Sequence, residues 1–146
     1  MGVVCNCGVL VNAFSANNNV KFTSQTGTTK GDLTYTADVC ANSLETSTLT
    51  LSFHEAEVGI NNFLFTANAI TSVTCKQEGQ NCVITVQGTG LVNDQQYSFE
   101  AVFRDEVASA ANDNVQSFVI TGFFDQNGAA PVPQGSIVAL GCNEEA

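Results

Sequence analysis

The sequence predicts an all-β protein, an antiparallel β-sandwich of jelly-roll or immunoglobulin-like type with about nine or ten strands. Apolar and polar residues alternate along most of the chain, and turn-forming residues interrupt that alternation at short intervals. Alternation with a period of two places one face of each strand against a core. The chain has 146 residues, which is enough for one domain with one core.

Strand-like segments follow one another along the whole chain. In order they are GVLVNAF, NVKFTS, DLTYTADV, STLTLSFH, CVITVQG, QYSFEAVF, VQSFVITGF and GSIVALG. Three of them show the apolar face clearly: Leu33, Tyr35, Ala37 and Val39 in the third, Leu49, Leu51 and Phe53 in the fourth, and Tyr97, Phe99, Ala101 and Phe103 in the sixth. Frequent Thr and Val also favour strands.

Three segments depart from this simple pattern. Residues 57–75 form a longer run, which we interpret as two strands bent near Asn68. The segment from Arg104 to Asn112 is the one place with helical character. Gly88-Thr89-Gly90 predicts a hairpin turn rather than a phosphate-binding loop, because neither a helix nor a correctly spaced third glycine follows it. The chain has no Trp, so it lacks the buried Trp of a true immunoglobulin domain.

The charge distribution excludes two classes of partner. Four basic residues face fourteen acidic ones, giving a net charge of −10. The basic residues are far apart in the sequence, whereas a nucleic-acid-binding protein needs several cations on one face. Anionic membranes should repel the chain, and its apolar runs are too short for a spanning helix. We therefore expect neither nucleic acid nor a membrane as partner.

The cysteines indicate disulfides rather than metal or redox chemistry. Their spacing provides no set of C-x₂₋₄-C pairs for zinc and no redox C-x-x-C motif, so we expect no cofactor and no metal. Cys75 and Cys82 flank the polar segment KQEGQN between two strand-like runs. Opposite positions of a hairpin are close enough for a disulfide, so we predict an intrachain bond between them. Two buried thiols are the alternative.

The first residues predict a connector arm. Cys5 and Cys7 lie in the segment MGVVCNCGVLV, and residues i and i+2 of an extended chain lie roughly 6–7 Å apart on one side. They are poorly placed to bond each other, but both can reach in one direction. We predict an arm over residues 1–12 and a single β-sandwich domain over 13–146. The segment from Met1 to about Leu10 is expected to dock on a neighbouring subunit.

The partners of the two arm cysteines stay open at this point. Cys40 follows a strand-like segment, and Cys142 lies near the other end of the chain. Either can bond to Cys5 or Cys7, within one chain or between chains. These four cysteines are therefore the candidates for disulfides between subunits.

Residues that could carry catalysis are few. His54 is the only histidine, and the residues around it lack the spacing of a zinc peptidase. The segment Asp125-Gln126-Asn127-Gly128 contains part of a calcium-loop pattern, but Ser136 stands where such a loop needs Glu. We interpret this segment as an Asn-Gly turn, and calcium binding near Asp125 stays open. We expect no catalytic centre.

A binding module is the alternative to a structural role. Sugar-binding β-sandwiches usually stack the sugar on exposed Trp or Tyr, whereas Tyr35 and Tyr97 lie on apolar strand faces here. A small-molecule ligand is therefore not expected. The alternative function is a secreted monomeric binding module of carbohydrate or adhesin type.

The segment GVVCNCGVLV, together with the Thr- and Asn-rich all-β body, resembles the subunits of bacterial endospore appendage fibres. The resemblance implies a jelly roll, stacking by β-strand augmentation, and disulfides from N-terminal connector cysteines to neighbouring subunits. Cys5 and Cys7 match that connector, although the family's cysteines are adjacent and Asn6 separates them here.

From this resemblance we expect a homopolymer. The chain would be the structural subunit of a disulfide-crosslinked filament, extracellular or on a spore surface. No signal peptide is evident in the sequence. The resemblance agrees with that, because such subunits are made inside the mother cell.

Overall fold

The computed structural model describes residues 5–56, 59, 61–79, 81–106 and 113–141. These residues form ten strands and a short 3-10 helical segment, Ala41–Thr46. The strands are β1 (Gly8–Phe22), β2 (Thr29–Cys40), β3 (Thr48–Glu55), β4 (Phe63–Glu78), β5 (Asn81–Val92), β6 (Gln95–Asp105), β7 (Asp113–Ile120), β8 (Phe124–Asp125), β9 (Ala130–Val132) and β10 (Ile137–Leu140).

Strands β1 to β8 close into an antiparallel barrel in which each strand pairs with its neighbours in sequence. The ring closes because β8 pairs with β7 and also with β1, where Lys21 faces Asp125 and Phe22 faces Phe124. Strand β9 pairs with the start of β7, and β10 pairs with the start of β1.

The predicted β-sandwich is therefore wrong, although the all-β class is right. A sandwich and a barrel both bury one face of every strand, so both produce the same alternation along the sequence. The barrel differs by its closing pairs between β1 and β8, which join residues about a hundred positions apart. No local pattern encodes such a pairing.

Side chains fill the barrel interior. The apolar sets predicted on β2 and β3 are all buried, and so are the Phe and Ala residues of the set on β6. Phe65, Phe99 and Phe118 meet in the middle of the core, with the rings of Phe65 and Phe99 5.2 Å apart. An eight-stranded barrel is just wide enough for side chains to fill. The interior is thus a packed core.

The pairing of β4 with β5 shifts register twice, once at Asn68 between Ala67 and Ala69 and once between Ile70 and Ser72, so the predicted bend near Asn68 is confirmed. The run is nevertheless one strand from Phe63 onward rather than two. The two register shifts face Gly88 and Gly90 on β5, and a Cβ atom on Gly88 would lie 2.9 Å from the Cα atom of Ile70. Glycine allows this close approach where the barrel turns a corner.

Two smaller predictions also change. Gly88-Thr89-Gly90 lies inside β5, so it is not a hairpin turn. Strand β6 continues to Asp105, so the segment predicted to have helical character begins as a strand. Residues 107–112 lie outside the described residues.

Strand β1 begins at Gly8, the first residue of the strand-like segment GVLVNAF. Val9 and Val11 are buried in the chain's own core and continue the inward face of β1. Residues 8–12, which the sequence assigned to the connector arm, therefore belong to the barrel. Residues 5–7 precede it, and residues 1–4 lie outside the described residues.

The two ends of the barrel differ in chemistry. At one end β1, β3, β5 and β7 begin and β2, β4 and β6 end, and the described cysteines lie there. We call it the cysteine end. At the opposite end, which we call the aromatic end, five rings pack mostly edge to face: Phe22, Phe53, Phe63, Phe123 and Phe124.

Candidate functional site

Both arm cysteines form disulfides within the chain. Cys5 bonds to Cys40 with Cα atoms 5.7 Å apart, and Cys7 bonds to Cys75 with Cα atoms 5.8 Å apart. The backbone N–H of Ala41 also donates to the Cys7 carbonyl at 2.8 Å. Residues 5–7 therefore tie the end of β2 to the end of β4. The sequence did not decide whether these disulfides form within one chain or between chains. In the structure both form within the chain.

Cys75 does not bond to Cys82, the partner that the hairpin predicted. The register of β4 and β5 places Cys82 opposite Gln77 and Cys75 opposite Ile84, so the two cysteines are diagonal neighbours rather than opposite each other. Such neighbours lie about 7–8 Å apart, which is too far for a disulfide without movement. Cys82 is buried and disulfide-bonded. Cys142 lies outside the described residues.

A buried carboxylate lies at the same end. Asp113 is fully buried, and its Oδ2 atom accepts hydrogen bonds from the N–H groups of Gly135 and Ile137 at 2.9 and 3.0 Å. Asp105 Oδ2 accepts from the N–H of Ala139 at 2.8 Å. These three N–H groups alternate along one edge of β10 and of the turn that precedes it, and the other edge of β10 pairs with β1. Two carboxylates thus take the place of a neighbouring strand.

Neighbouring groups lower the pKa of one carboxylate at this end of the barrel and raise the pKa of another. Arg104 donates to Glu78 at 2.8 Å and also to Glu106, and these hydrogen bonds lower the pKa of Glu78 and raise that of Arg104. Partial burial raises the pKa of Asp105, and repulsion from Asp113 and Glu106 adds to this, while the N–H of Ala139 opposes it. Ionised Asp105 is therefore less favourable in the folded chain than in the unfolded chain.

Asp105→Asn is expected to stabilise the protein at neutral pH. Because folding raises the pKa of Asp105, the protonated form of this carboxyl favours the folded state. That contribution to the free energy of unfolding is complete below the ordinary Asp pKa and is lost as pH rises through the raised value. Asn keeps a carbonyl acceptor for the Ala139 N–H and never ionises. The gain in free energy of unfolding should appear as pH rises from about 4 towards 7 in urea denaturation curves.

The control for this prediction is Asp94→Asn, which makes the same charge change at the β5–β6 turn. A change in stability that both variants share comes from the lost charge, and the excess in Asp105→Asn comes from the surroundings of Asp105. A loss of stability in Asp105→Asn at neutral pH would show that its ionised form stabilises the fold.

His54 and the turn from Asp125 to Gly128 are the other candidate sites that the sequence singled out. His54 is exposed on the outer face of β3, opposite Asp32 on β2. No group of three or more His, Cys, Asp or Glu side chains that could hold a metal ion occurs among the described residues. Asn127 has φ 63° and its N–H donates to Asp125 Oδ1 at 2.8 Å, which confirms the Asn-Gly turn.

Tyr35 has a structural role in the core. Its hydroxyl donates to Gln126 Oε1 at 2.5 Å, and Gln126 Nε2 donates to the carbonyls of Val115 and Gly128 at 2.8 and 2.7 Å. Burial raises the pKa of Tyr35, so the phenol stays protonated and can donate. This network joins β2 to the segment after β8, and Tyr35 is not available as a sugar platform.

The fold and the site define a class, namely a disulfide-bonded all-β protein built as a closed antiparallel barrel. No family model, curated protein or solved structure matches the chain. The resemblance to endospore appendage subunits therefore stays a prediction. Within the described part of the chain, no helix is long and apolar enough to cross a membrane. The disulfides are compatible with an extracellular protein.

Proposed function

We propose that this protein is a non-catalytic structural subunit that works outside the cytosol and associates with copies of itself. The observation that carries this proposal is an apolar stripe on the outer wall of the barrel, formed by Leu10, Phe14 and Val138. Their exposed fractions are 39%, 51% and 43%. Leu10 lies opposite Val138 across β1 and β10, and Phe14 follows on the same outward face of β1. Grouped exposed apolar side chains commonly mark a contact surface.

A second copy of the chain is the occupant that suits this stripe. The outward residues of β2 beside it are Thr34 opposite Phe14, Thr36 opposite Asn12 and a single carboxylate, Asp38, opposite Leu10. A chain with a net charge of −10 repels its own copies least where the contact surface carries little charge. A two-fold axis would place the stripe of one copy on the stripe of the next.

The cysteine end offers a covalent contact. Strand β4 pairs with β3 only as far as Thr66, so in the described part of the chain its later edge has no strand partner on that side. The bond between Cys7 and Cys75 places the arm near this edge. The same bond formed with the arm of a second copy would add that arm to β4, which is β-strand augmentation.

These two contacts together would produce a filament. The arm and its acceptor cysteines lie at the same end of the barrel. A mutual exchange of arms therefore joins two copies end to end and leaves no arm free for a third copy. The stripe is a separate contact on the wall. A subunit with one neighbour through each contact extends into an open chain, and the exchanged disulfides would crosslink it.

The stripe is tested with the double variant Leu10→Ser/Phe14→Ser. Removing two apolar side chains from each copy should weaken self-association at least about 100-fold, because each buried side chain contributes about 1.5–3 kcal/mol. Sedimentation velocity over a range of concentrations measures this. Leu64→Ser is the matched control, since Leu64 is 57% exposed on β4, three strands away from Phe14 around the barrel. A wild-type protein that stays monomeric, or an equal effect of Leu64→Ser, contradicts the proposal.

The same assemblies are used to test whether arms are exchanged between copies. Isotopically labelled and unlabelled chains are mixed during assembly and digested without reduction. Peptides that contain Cys7 and Cys75 from differently labelled chains indicate exchange. Linked peptides of uniform label show that the disulfides stay within the chain, and the crosslinked form of the proposal then fails.

A further inference from the structure

We propose that the aromatic end carries a binding site for a single neutral sugar ring. A groove of about 160 Å³ lies there between the loop after β1, the residues before β4, the β5–β6 turn and the β7–β8 turn. Among the described residues, its lining combines the rings of Phe22, Phe63 and Phe123 with the amide side chains of Gln25, Asn61 and Asn93 and includes no charged group.

Phe123 provides the aromatic surface of this groove. It lies in the turn between β7 and β8 and is half-buried. Its ring packs edge-on against Phe63 with centroids 5.0 Å apart and is tilted against Tyr97 at 5.3 Å. These contacts fix the ring before any ligand arrives, so little conformational freedom is lost on binding. The C–H face of a sugar ring can stack on an aromatic ring held in this way.

Hydrogen bonds hold the amide side of the groove in place. Gln25 Nε2 donates to Asn61 Oδ1 at 2.8 Å, and Asn61 Nδ2 donates to the Glu55 carboxylate at 3.3 Å. The backbone N–H of Glu55 donates to Asn62 Oδ1 at 2.6 Å. The groove is therefore largely formed in the absence of a ligand.

Asn93 provides the polar group that remains for a ligand. Its side chain lines the groove and makes no hydrogen bond to another residue in the described part of the chain. An amide side chain has two donors and a carbonyl acceptor, which suits hydroxyl groups that both donate and accept.

The chemistry of the lining selects the ligand class. The described lining holds no charged side chain to pair with an ion, and the net charge of −10 further disfavours anions. The volume is about half of the ~300 Å³ at which sites for drug-sized ligands begin, so the occupant is one ring, such as the end of a glycan.

A sugar site departs from the expectation of no small-molecule ligand and agrees with the carbohydrate-binding alternative. The groove lies at the opposite end from the cysteines, so self-association and sugar binding can coexist.

The test is a titration of the ¹⁵N-labelled full chain with glucose, galactose, mannose and N-acetylglucosamine, followed by amide chemical shifts. At least one sugar should give saturable shift changes confined to the four segments around the groove, with a Kd of about millimolar order. Asn93→Gly suits the left-handed backbone at this position, where φ is 51°, and should weaken binding about threefold to tenfold. Phe123→Leu keeps apolar bulk without the flat ring and should weaken it further.

The control variant is Asn17→Gly, because Asn17 also has a left-handed backbone, with φ 59°, but lies on the barrel wall in β1. It should bind as the wild type does, and glycerol should produce no saturable shifts. The spectrum of each variant shows directly whether it is folded. The proposal is overturned if no sugar gives saturable shifts, or if binding persists unchanged in both Asn93→Gly and Phe123→Leu.

Discussion

Replacing Cys7 and Cys75 together with Ser is expected to lower the free energy of unfolding by about 4 kcal/mol, because their disulfide closes a loop of 68 residues. Without that bond the unfolded chain gains conformational freedom, while the barrel loses no fully buried side chain. The melting temperature should fall by roughly 10 °C. Urea and thermal unfolding of the variant and the wild type measure both quantities.

The matched comparison is Cys5→Ser/Cys40→Ser, whose disulfide spans 35 residues. The chain-entropy argument predicts a slightly smaller loss for this shorter loop. Both cysteines of a pair are replaced so that no free thiol can exchange with the remaining bonds. A loss below about 1 kcal/mol in both variants would show that these disulfides do not constrain the unfolded chain.

The part of the fold that the sequence predicts well is local. The inward residues of β2 follow from the alternation Leu33, Tyr35, Ala37 and Val39, because that pattern depends only on the pleat of one strand. Closure of the barrel depends on two residue pairs between β1 and β8, Lys21 with Asp125 and Phe22 with Phe124. Since that pairing is short and joins distant residues, the alternation alone could not distinguish a barrel from a sandwich.

The cysteine pairs show the same limit. Cys75 and Cys82 are close in sequence and share a hairpin, so a local argument joins them. Their register is set by the tight turn between β4 and β5, which places neither cysteine opposite the other. Cys7 reaches Cys75 only because the start of β1 and the end of β4 meet at one end of a closed barrel. That proximity is a property of the whole fold.

The buried carboxylate at position 113 gave no signal in the sequence. It lies in the polar segment Asn112-Asp113-Asn114, which is typical of an exposed turn. Its burial follows from β10, a strand that has a partner on one edge and needs acceptors for the N–H groups of the other. Because the sequence does not show which strand lacks a neighbour, it could not identify the side chain that takes a neighbour's place.

Asp113→Ala is accordingly expected to lower the free energy of unfolding by about 3–5 kcal/mol, because the buried carboxylate accepts three backbone hydrogen bonds. The N–H groups of Glu106, Gly135 and Ile137 would all lose their acceptor. Asp113→Asn keeps one carbonyl oxygen and should lose less. Hydrogen exchange at the Ile137 amide should accelerate in the Ala variant more than exchange in the β5–β6 pair, because only the Asp105–Ala139 hydrogen bond then remains on the edge of β10 that faces away from β1. If the Ala variant unfolds within about 1 kcal/mol of the wild type, water replaces the carboxylate and Asp113 does not hold β10 in place.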